Sequence, residues 1–382
     1  MRLPLATLAP LCLIAGACSG ADTDDTARPS DAGTAAPDQN GADSMATNDS
    51  AAAGETIADP EQRPVMQAQV VLERLGFAPG VIDGKQGASL ANAIKGFQEA
   101  RSLPVTGEFD EATRTALGEW NTIAATRVVT IPQDWGQLAF AALPESAADQ
   151  AKLESLGYET LIEKLAERFH TTPEVLAQLN PGGRPAGAGG AAATPPTATT
   201  GEPAFAPGQQ IRVPNVGADR IDGSAVDNKD WLETLRSLGV GTDQPSAARL
   251  VVDESEGWLK AYDEDDKLVA MFTVTTGSQH DPLPIGNWGI KGKAYNPPYA
   301  YDPALLRNAP ASNGKHQLPP GPNGPVGVVW IDLTKDHYGI HGTPSPETIG
   351  RAESNGCVRL TNWDAARLAQ MVSGSTKVEF RK

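Results

Sequence analysis

Two incompatible periodicities divide this chain, and the division constrains its fold more than any other feature. Before residue 215 apolar side chains recur at helical spacing: Ala68, Val71, Leu72 and Leu75 fall at i, i+3, i+4 and i+7, and Leu90, Ala93, Ile94 and Phe97 repeat the pattern. From Arg249 onward the texture is short β-branched or alternating runs, at 250–253, 257–262, 267–275, 326–333 and 377–380, punctuated by Gly, Pro and Asn. A length of 382 residues allows two or three cores. The expectation is therefore a multidomain chain. A mainly β domain at the C-terminus, with one helix over 363–371 capped by Asn362, follows a small three-helix domain and a small α+β module.

The first sixty residues share neither pattern. Met1-Arg2, an apolar run from Leu3 to Ala15, and Ala15-Gly16-Ala17 before Cys18 read as a secretory signal over 1–17, too short for a permanent membrane span. A cysteine directly after small residues resembles the bacterial lipoprotein signal, which implies acylation of Cys18 and contact with the membrane through the N-terminal lipid only. Ala15-Gly16-Ala17 also satisfies the ordinary A-x-A cleavage rule, so plain secretion stays open. Either route places the protein in the periplasm or cell envelope, and Ser19 after the cysteine implies, by the same resemblance, anchoring to an outer membrane. From Ser19 to Glu61 ten acids stand against Arg28, which is −9 of the net −16. With no aromatic residue, this stretch cannot bury enough apolar surface to offset chain entropy, and 18–61 is expected to be a disordered tether. The acidic balance excludes nucleic acid as the main partner.

Within 62–120 a turn-rich link at 76–84 joins two amphipathic helices, the second with Ser89 as expected N-cap, and Asp110 caps a third short helix ending near Leu117. Asp83-Gly84, Ala91 to Gln98, Leu103 to Gly107 and Asp110 to Leu117 resemble the motifs of the peptidoglycan-binding-domain-1 family, which implies binding to the wall. A three-helix scaffold without a ligand would show the same periodicity. Within 156–215, Tyr158 to Phe169 and Thr172 to Pro181 read as two short helices, the second with Thr172 as cap and Pro173 at its first position. A Gly/Ala/Pro/Thr-rich insertion at 182–206 precedes a short strand ending at Pro214. This order looks like a LysM module, a β-α-α-β glycan binder, although the insertion exceeds that family's usual length; a structural spacer is the other reading. His170, in the turn between the helices, is expected to be structural or solvated.

The chemistry lies in the last third. The segment from Gly277 to Pro325, rich in Pro, Gly and Tyr, is too long for a hairpin and is expected to include a functional loop or lid. Then come Tyr338-Gly339-Ile340-His341-Gly342-Thr343 and Glu353-Ser354-Asn355-Gly356-Cys357-Val358-Arg359-Leu360. Two of the three cysteines lie in the first twenty residues, so Cys357 stands without a disulfide framework or a four-thiolate zinc site. A thiol with a pKa of about 8.5 is mostly protonated at neutral pH unless a base or cation sits beside it. His341, sixteen residues upstream, fits one strand, a loop and a return to the same sheet edge. Gly356 lets backbone pass close to a carbonyl, and the N–H groups of Asn355, Gly356 and Cys357 are candidates for an oxyanion hole. A lone cysteine also suits a small buried hydrophobe, but a Gly-Cys turn flanked by Ser, Asn and Arg is a poor core. His280, His316 and His337 fall on polar loops without metal-ligand spacing, so neither metal nor cofactor is expected.

These residues resemble the L,D-transpeptidase (YkuD-type) family, whose signature is H-G-T, a loop, and S-[HKN]-G-C-[VI]-R-[LM]. Leu283 to Gly286, Asn296 to Pro298 and Gly321 to Gly327 match further blocks, and the similarity spans 248–382. Asn355 stands where many members carry His. The resemblance implies a β-sandwich and acyl transfer on peptidoglycan stem peptides: Cys357, activated by His341, attacks the carbonyl preceding a terminal D-Ala, and an amine of another stem or of an outer-membrane lipoprotein takes the acyl group. It further implies that the Gly342 carbonyl holds His341, that Arg359 grips a stem carboxylate or braces the loop, that Ser354 bonds near the thiol, and that Tyr338 and Trp288 line the groove. A hydrolase on the same fold and a non-catalytic wall-binding lipoprotein are the alternatives. The module order agrees with the resemblance, because binding modules concentrate a nucleophile near a polymer and a tether sets its reach.

Overall fold

The computed structural model describes residues 57–189, 205–217, 220–278, 280–305, 314–354 and 356–382. Cys18 with the signal segment, most of the acidic stretch, much of the 182–206 insertion and Asn355 lie outside these. Helix α1 (Pro64–Arg74) starts with Pro at a first-turn position, where the missing N–H costs nothing. Strand β1 (Phe77–Ala78), α2 (Ala88–Ala100) and α3 (Glu111–Ala116) follow. Asp110 caps α3 by accepting from the Thr113 N–H at 2.8 Å. Ser89 does not cap α2: the helix begins at Ala88 after Gly87, and no side chain satisfies its first turn. The expected tether also ends early. Arg212 donates to the carbonyls of Ile57 and Ala58 at 2.9 and 3.0 Å, and Thr126 donates to Asp59 at 2.6 Å, so 57–59 are held against the fold.

The middle of the chain gives β2 (Thr126–Thr130), α4 (Ala147–Gln150), α5 (Leu161–Arg168), α6 (Pro173–Leu179) and β3 (Gln210–Pro214), with β2 and β3 antiparallel from Thr126↔Pro214 to Thr130↔Gln210. With the one-turn α4 set aside, the order from β2 to β3 is β-α-α-β, and its first strand lies upstream of the 156–215 span. Thr160 and Glu163 form a reciprocal capping box on α5, and Thr172 caps α6 with Pro173 behind it. The core of this body, Leu165, Phe169, Leu176, Ile211 and Val213, continues into Met66 and Val70 of α1 and Ile82. The two small modules therefore share one apolar interior.

Helix α7 (Lys229–Leu238) has no counterpart in the sequence reading, although Trp231, Leu235 and Leu238 carry helical spacing after an Asn228 cap. It packs into the core of the β domain. That domain contains β4 (Arg249–Asp253), β5 (Trp258–Tyr262), β6 (Leu268–Thr273), β7 (Gly286–Tyr295), β8 (Tyr299–Tyr301), β9 (His316–Leu318), β10 (Val329–Leu333), β11 (Gly339–His341), β12 (Val358–Arg359), α8 (Asn362–Met371) and β13 (Lys377–Arg381). Among the described residues the main sheet runs β1-β6-β5-β4-β13-β7-β10-β11-β12. The hydrogen-bonded order is continuous, because β7 gives its first half to β13 and its second half to β10. Strand β7 lies in the segment expected to include a loop or lid. Gly286, Gly289 and Gly292 dilute its alternation, and pairing on both sides supplies what propensity does not. Helix α8 is capped by Thr361, one residue before the expected Asn362.

The helical module joins this sheet covalently in sequence and through hydrogen bonds in space. Strand β1 pairs parallel with β6, Phe77↔Met271 and Ala78↔Phe272, and α2 lies across it. Gly96 makes that approach possible: a Cβ there would stand 3.0 Å from the Met271 side chain and 3.1 Å from Phe77. Glu99 pairs with Lys260 and accepts from the Tyr262 hydroxyl, and Asn92 donates to the Glu256 carbonyl at 2.7 Å. Gly96→Leu is expected to lower unfolding free energy by roughly 1–3 kcal/mol through overpacking of this seam, measured by urea denaturation followed by tryptophan fluorescence.

Candidate active site

Strands β11 and β12 are parallel neighbours with Ile340↔Val358 and His341↔Arg359 in register. Arg359 is held from its other side by Thr275, whose N–H donates to its carbonyl at 3.0 Å and whose carbonyl accepts its N–H at 2.8 Å. On the far side of β11, Trp330 of β10 stacks on the imidazole at 5.3 Å between ring centres. His341 is buried, and its Nδ1 lies 2.7 Å from the Gly342 carbonyl oxygen. A carbonyl only accepts, so the proton sits on Nδ1 and Nε2 keeps its lone pair. Burial, then the Arg359 charge, push the His341 pKa down to about 4, against the opposing pull of the Gly342 carbonyl. At neutral pH the ring is an uncharged base.

Cys357 is a free, partly exposed thiol one residue before the Val358↔Ile340 pair. That register places it opposite Gly339, two positions along β11 from His341, on a strand whose alternate residues share a face. Its Sγ donates weakly to the His337 carbonyl at 3.9 Å, and no hydrogen bond joins it to His341 in this conformation. Burial raises the thiol pKa, while the Gly339 N–H and the Arg359 charge pull it back. The resting pair is thus thiol and neutral imidazole rather than thiolate and imidazolium.

The turn before the thiol departs from its expected roles. Gly356 has φ of 96°, and the Tyr338 ring stands 2.7 Å from where a Cβ would sit, so only glycine fits. Its N–H, expected to line an oxyanion hole, donates instead to Ser354 Oγ at 3.1 Å. Ser354 is buried, donates from its hydroxyl to the Cys357 carbonyl at 2.6 Å and from its N–H to the Thr276 carbonyl at 2.8 Å. It locks the turn and makes no bond to the thiol. Asn355 lies outside the described residues. Two neighbours went unread in the sequence: Trp330, and Tyr299, whose phenol pKa is raised by burial and then by the nearby Cys357. The signal for Tyr299 is its place just after Asn296-Pro297-Pro298. Trp288 donates its indole N–H to the Pro284 carbonyl at 2.8 Å and packs against the core. The loop between His341 and Cys357 also leans on the helical module, where Arg351 pairs with Asp83 at 2.9 Å.

Arg359 lowers both pKa values, because its charge favours the thiolate over the thiol and disfavours imidazolium relative to the neutral ring. Arg359→Gln is expected to raise both the Cys357 and the His341 pKa. The rate of Cys357 alkylation by iodoacetamide at pH 7.5 should fall by about 3–10-fold, with the profile displaced to higher pH, and the imidazole NMR titration should move up from about 4.

Comparison with known proteins agrees with this geometry. Residues 247–380 match the family described as the L,D-transpeptidase catalytic domain, and residues 61–117 match the putative peptidoglycan binding domain. The chain is 28% identical over 222 residues to the putative L,D-transpeptidase YkuD of Bacillus licheniformis, covering 58% of this chain and 93% of that protein. It is 32% identical over 119 residues to the putative L,D-transpeptidase YqjB of Bacillus subtilis, covering 30% of this chain and 60% of the relative. With the probable L,D-transpeptidase YbiS of Escherichia coli the identity is 29% over 135 residues, or 34% of this chain and 44% of the relative. The matches thus span most of the first relative and less than two thirds of the other two. Matches to the L,D-transpeptidase catalytic domain and to the putative peptidoglycan binding domain thus occur together in this one chain.

Proposed function

We propose that the chain is a peptidoglycan L,D-transpeptidase working through a thioester on Cys357. The observation that carries this reading is the imidazole of His341, fixed in its base tautomer by Gly342 on the strand beside the one that the thiol residue immediately precedes. Rotation about the Cα–Cβ bond of Cys357 brings Sγ toward Nε2 as substrate arrives; catalytic hydrogen bonds commonly tighten only in the complex. The thiol proton passes to Nε2 while sulfur attacks the carbonyl between the third residue of a tetrapeptide stem and its terminal D-Ala. With Gly356 engaged by Ser354, the N–H of Cys357 itself takes the oxyanion role. The C–N bond then breaks, imidazolium gives its proton to the departing D-Ala amine, and the thioester remains. An acceptor amine, on a second stem or on an outer-membrane lipoprotein, loses a proton to His341 and displaces the sulfur. Because imidazolium is disfavoured beside Arg359, proton transfer accompanies attack rather than preceding it.

The accessory modules supply proximity to this chemistry. An apolar groove of about 970 Å³ on the helical module, lined by Val65, Ala68, Leu90, Ile94, Phe109 and Trp120, is our proposed seat for wall peptide. The β-α-α-β body is read as the LysM-like glycan binder, and acylated Cys18 as the anchor of an exported protein. No helix among the described residues is long and apolar enough to cross a membrane.

Incubation with a carbapenem is expected to add one adduct mass on the Cys357 peptide, lost in Cys357→Ala and slowed about 10²–10⁴-fold in His341→Ala. Folded wild-type protein that takes no adduct would sink the reading. With purified muropeptides, mass spectrometry should show cross-linked dimers; trimmed monomers alone would assign a hydrolase instead. In sedimentation assays the full chain should pellet with purified cell walls and Ala68→Arg should reduce the pelleted fraction, while Cys18→Ser should move the expressed protein from the membrane fraction to the soluble one.

A further inference from the structure

A cluster of buried charges lies away from the thiol, where three parts of the chain meet. His170, 2% exposed, sits between Glu73 of α1 and Asp364 of α8. Its Nδ1 is 3.4 Å from Glu73 Oε2, and its Nε2 is 3.5 Å from Asp364 Oδ2 and 3.0 Å from Thr361 Oγ1. The ring stacks on Trp363 with centres 4.8 Å apart, and Arg367 donates to the other Glu73 oxygen at 2.7 Å. His170 also holds a left-handed backbone, φ 48°, costly for a non-glycine residue and maintained by its surroundings. The turn it occupies clasps the helical module: the Ile82 N–H donates to the His170 carbonyl at 2.7 Å, and the Thr171 hydroxyl donates to the Ile82 carbonyl at 2.6 Å.

Proton bookkeeping identifies the ionic state. The Thr361 hydroxyl has one hydrogen and gives it to Asp364 Oδ2 at 3.0 Å, so Nε2 must donate to Thr361. Nδ1 lies 3.4 Å from Glu73 Oε2 without forming a hydrogen bond, so its proton is assigned by charge balance. An imidazolium and Arg367 then balance Glu73 and Asp364, whereas a neutral ring would leave one buried negative charge unmatched. The nitrogen and carboxylate atoms lie within 4.8 Å of one another, near enough for a metal ion. The ring nevertheless aims its nitrogens at different carboxylates, and Arg367 occupies Glu73, so the site suits a proton. Neighbouring charges face elsewhere: Glu167 bonds Asn362 and Tyr158, and Arg168 bonds the Leu238 carbonyl.

This cluster stands directly behind the nucleophile strand. Thr361 follows Cys357-Val358-Arg359-Leu360, and the Leu360 N–H donates to the His341 carbonyl at 2.9 Å. Asn362, the next residue, donates to Glu167 at 2.7 Å and accepts from the Val328 N–H at 3.1 Å. We propose that His170, clamped between Glu73 and Asp364, is a positioning residue that uses the two accessory modules to set the Leu360–Asp364 turn and hence the stance of Cys357 beside His341. The inference rests on Cys357 being the reactive thiol of the function proposed above.

The test compares full-length wild type, His170→Gln, Glu73→Gln, Thr361→Val and Thr361→Ser by two readouts: carbapenem acylation and iodoacetamide alkylation of Cys357, the latter followed against pH by peptide mass spectrometry. Folded His170→Gln, Glu73→Gln and Thr361→Val should acylate at least 10-fold more slowly with an altered alkylation profile, and Thr361→Ser should retain the wild-type rate. Burial lowers the His170 pKa, but Asp364 and Glu73 outweigh it and raise it to about 10 from 6.5. The stabilisation is therefore complete below pH 6.5 and lost as pH climbs toward 10, a decline in Tm that His170→Gln should flatten. A lower Tm with both Cys357 readouts within twofold of wild type would reduce the cluster to a structural lock and overturn the proposal. If His170→Gln does not fold, Glu73→Gln and Thr361→Val decide by the same criterion. A wild-type protein that alkylates at Cys357 but takes no carbapenem would fail the transpeptidase reading alone, since alkylation still reports positioning.

Discussion

Strands β11 and β12 touch over two residue pairs, Ile340↔Val358 and His341↔Arg359, and the chemistry of the molecule follows from that contact. Parallel pairing requires a crossover, and the fifteen residues between His341 and Cys357 provide it while pressing on the helical module through Arg351 and Asp83. The pairing brings one cation beside both titrating groups. It lowers the pKa of the imidazole and offsets part of the rise that burial imposes on the thiol.

A pair as short as this is weak by itself, since two residues of ladder cannot repay their own ordering. Its neighbours hold it. Strand β10 covers β11 on one side, Thr275 bridges Arg359 on the other, and Ser354 locks the turn with three hydrogen bonds. Behind the pair, Thr361 and Asn362 are tied to His170 and Glu167 of the β-α-α-β body. The accessory modules are consequently part of the framework that supports the strand following Cys357, through a shared interior with α1 and a ninth strand, β1, added to the main sheet.

Much of this was legible in the residues. The amphipathic spacing of α1 and α2, the Asp110 and Thr172 caps and five of the β-domain strands are local signals, written in period and in side-chain chemistry that acts within a few positions. The pairing of His341 with Gly342 is likewise local. Strand β7 was illegible because its glycines hide the alternation and its partners, β13 and β10, lie far away in sequence. Ser89 and Asn362 failed as caps for a comparable reason: a cap is decided by where the preceding backbone enters, and the side chain of Asn362 is engaged by Val328 and Glu167 from other elements.

Residue order alone determined the kinds of elements, the separation of helical and β regions, and the thiol and imidazole sixteen positions apart with glycines beside each. Tertiary structure decided what those groups experience. His170, an unremarkable turn residue in the sequence, becomes a buried cation because Glu73 and Asp364 converge on it from helices separated by almost three hundred residues. The Gly356 N–H is diverted to Ser354, and the His341 pKa falls to about 4. Burial and the field of distant charges are properties of the assembled interior, and no local pattern encodes them.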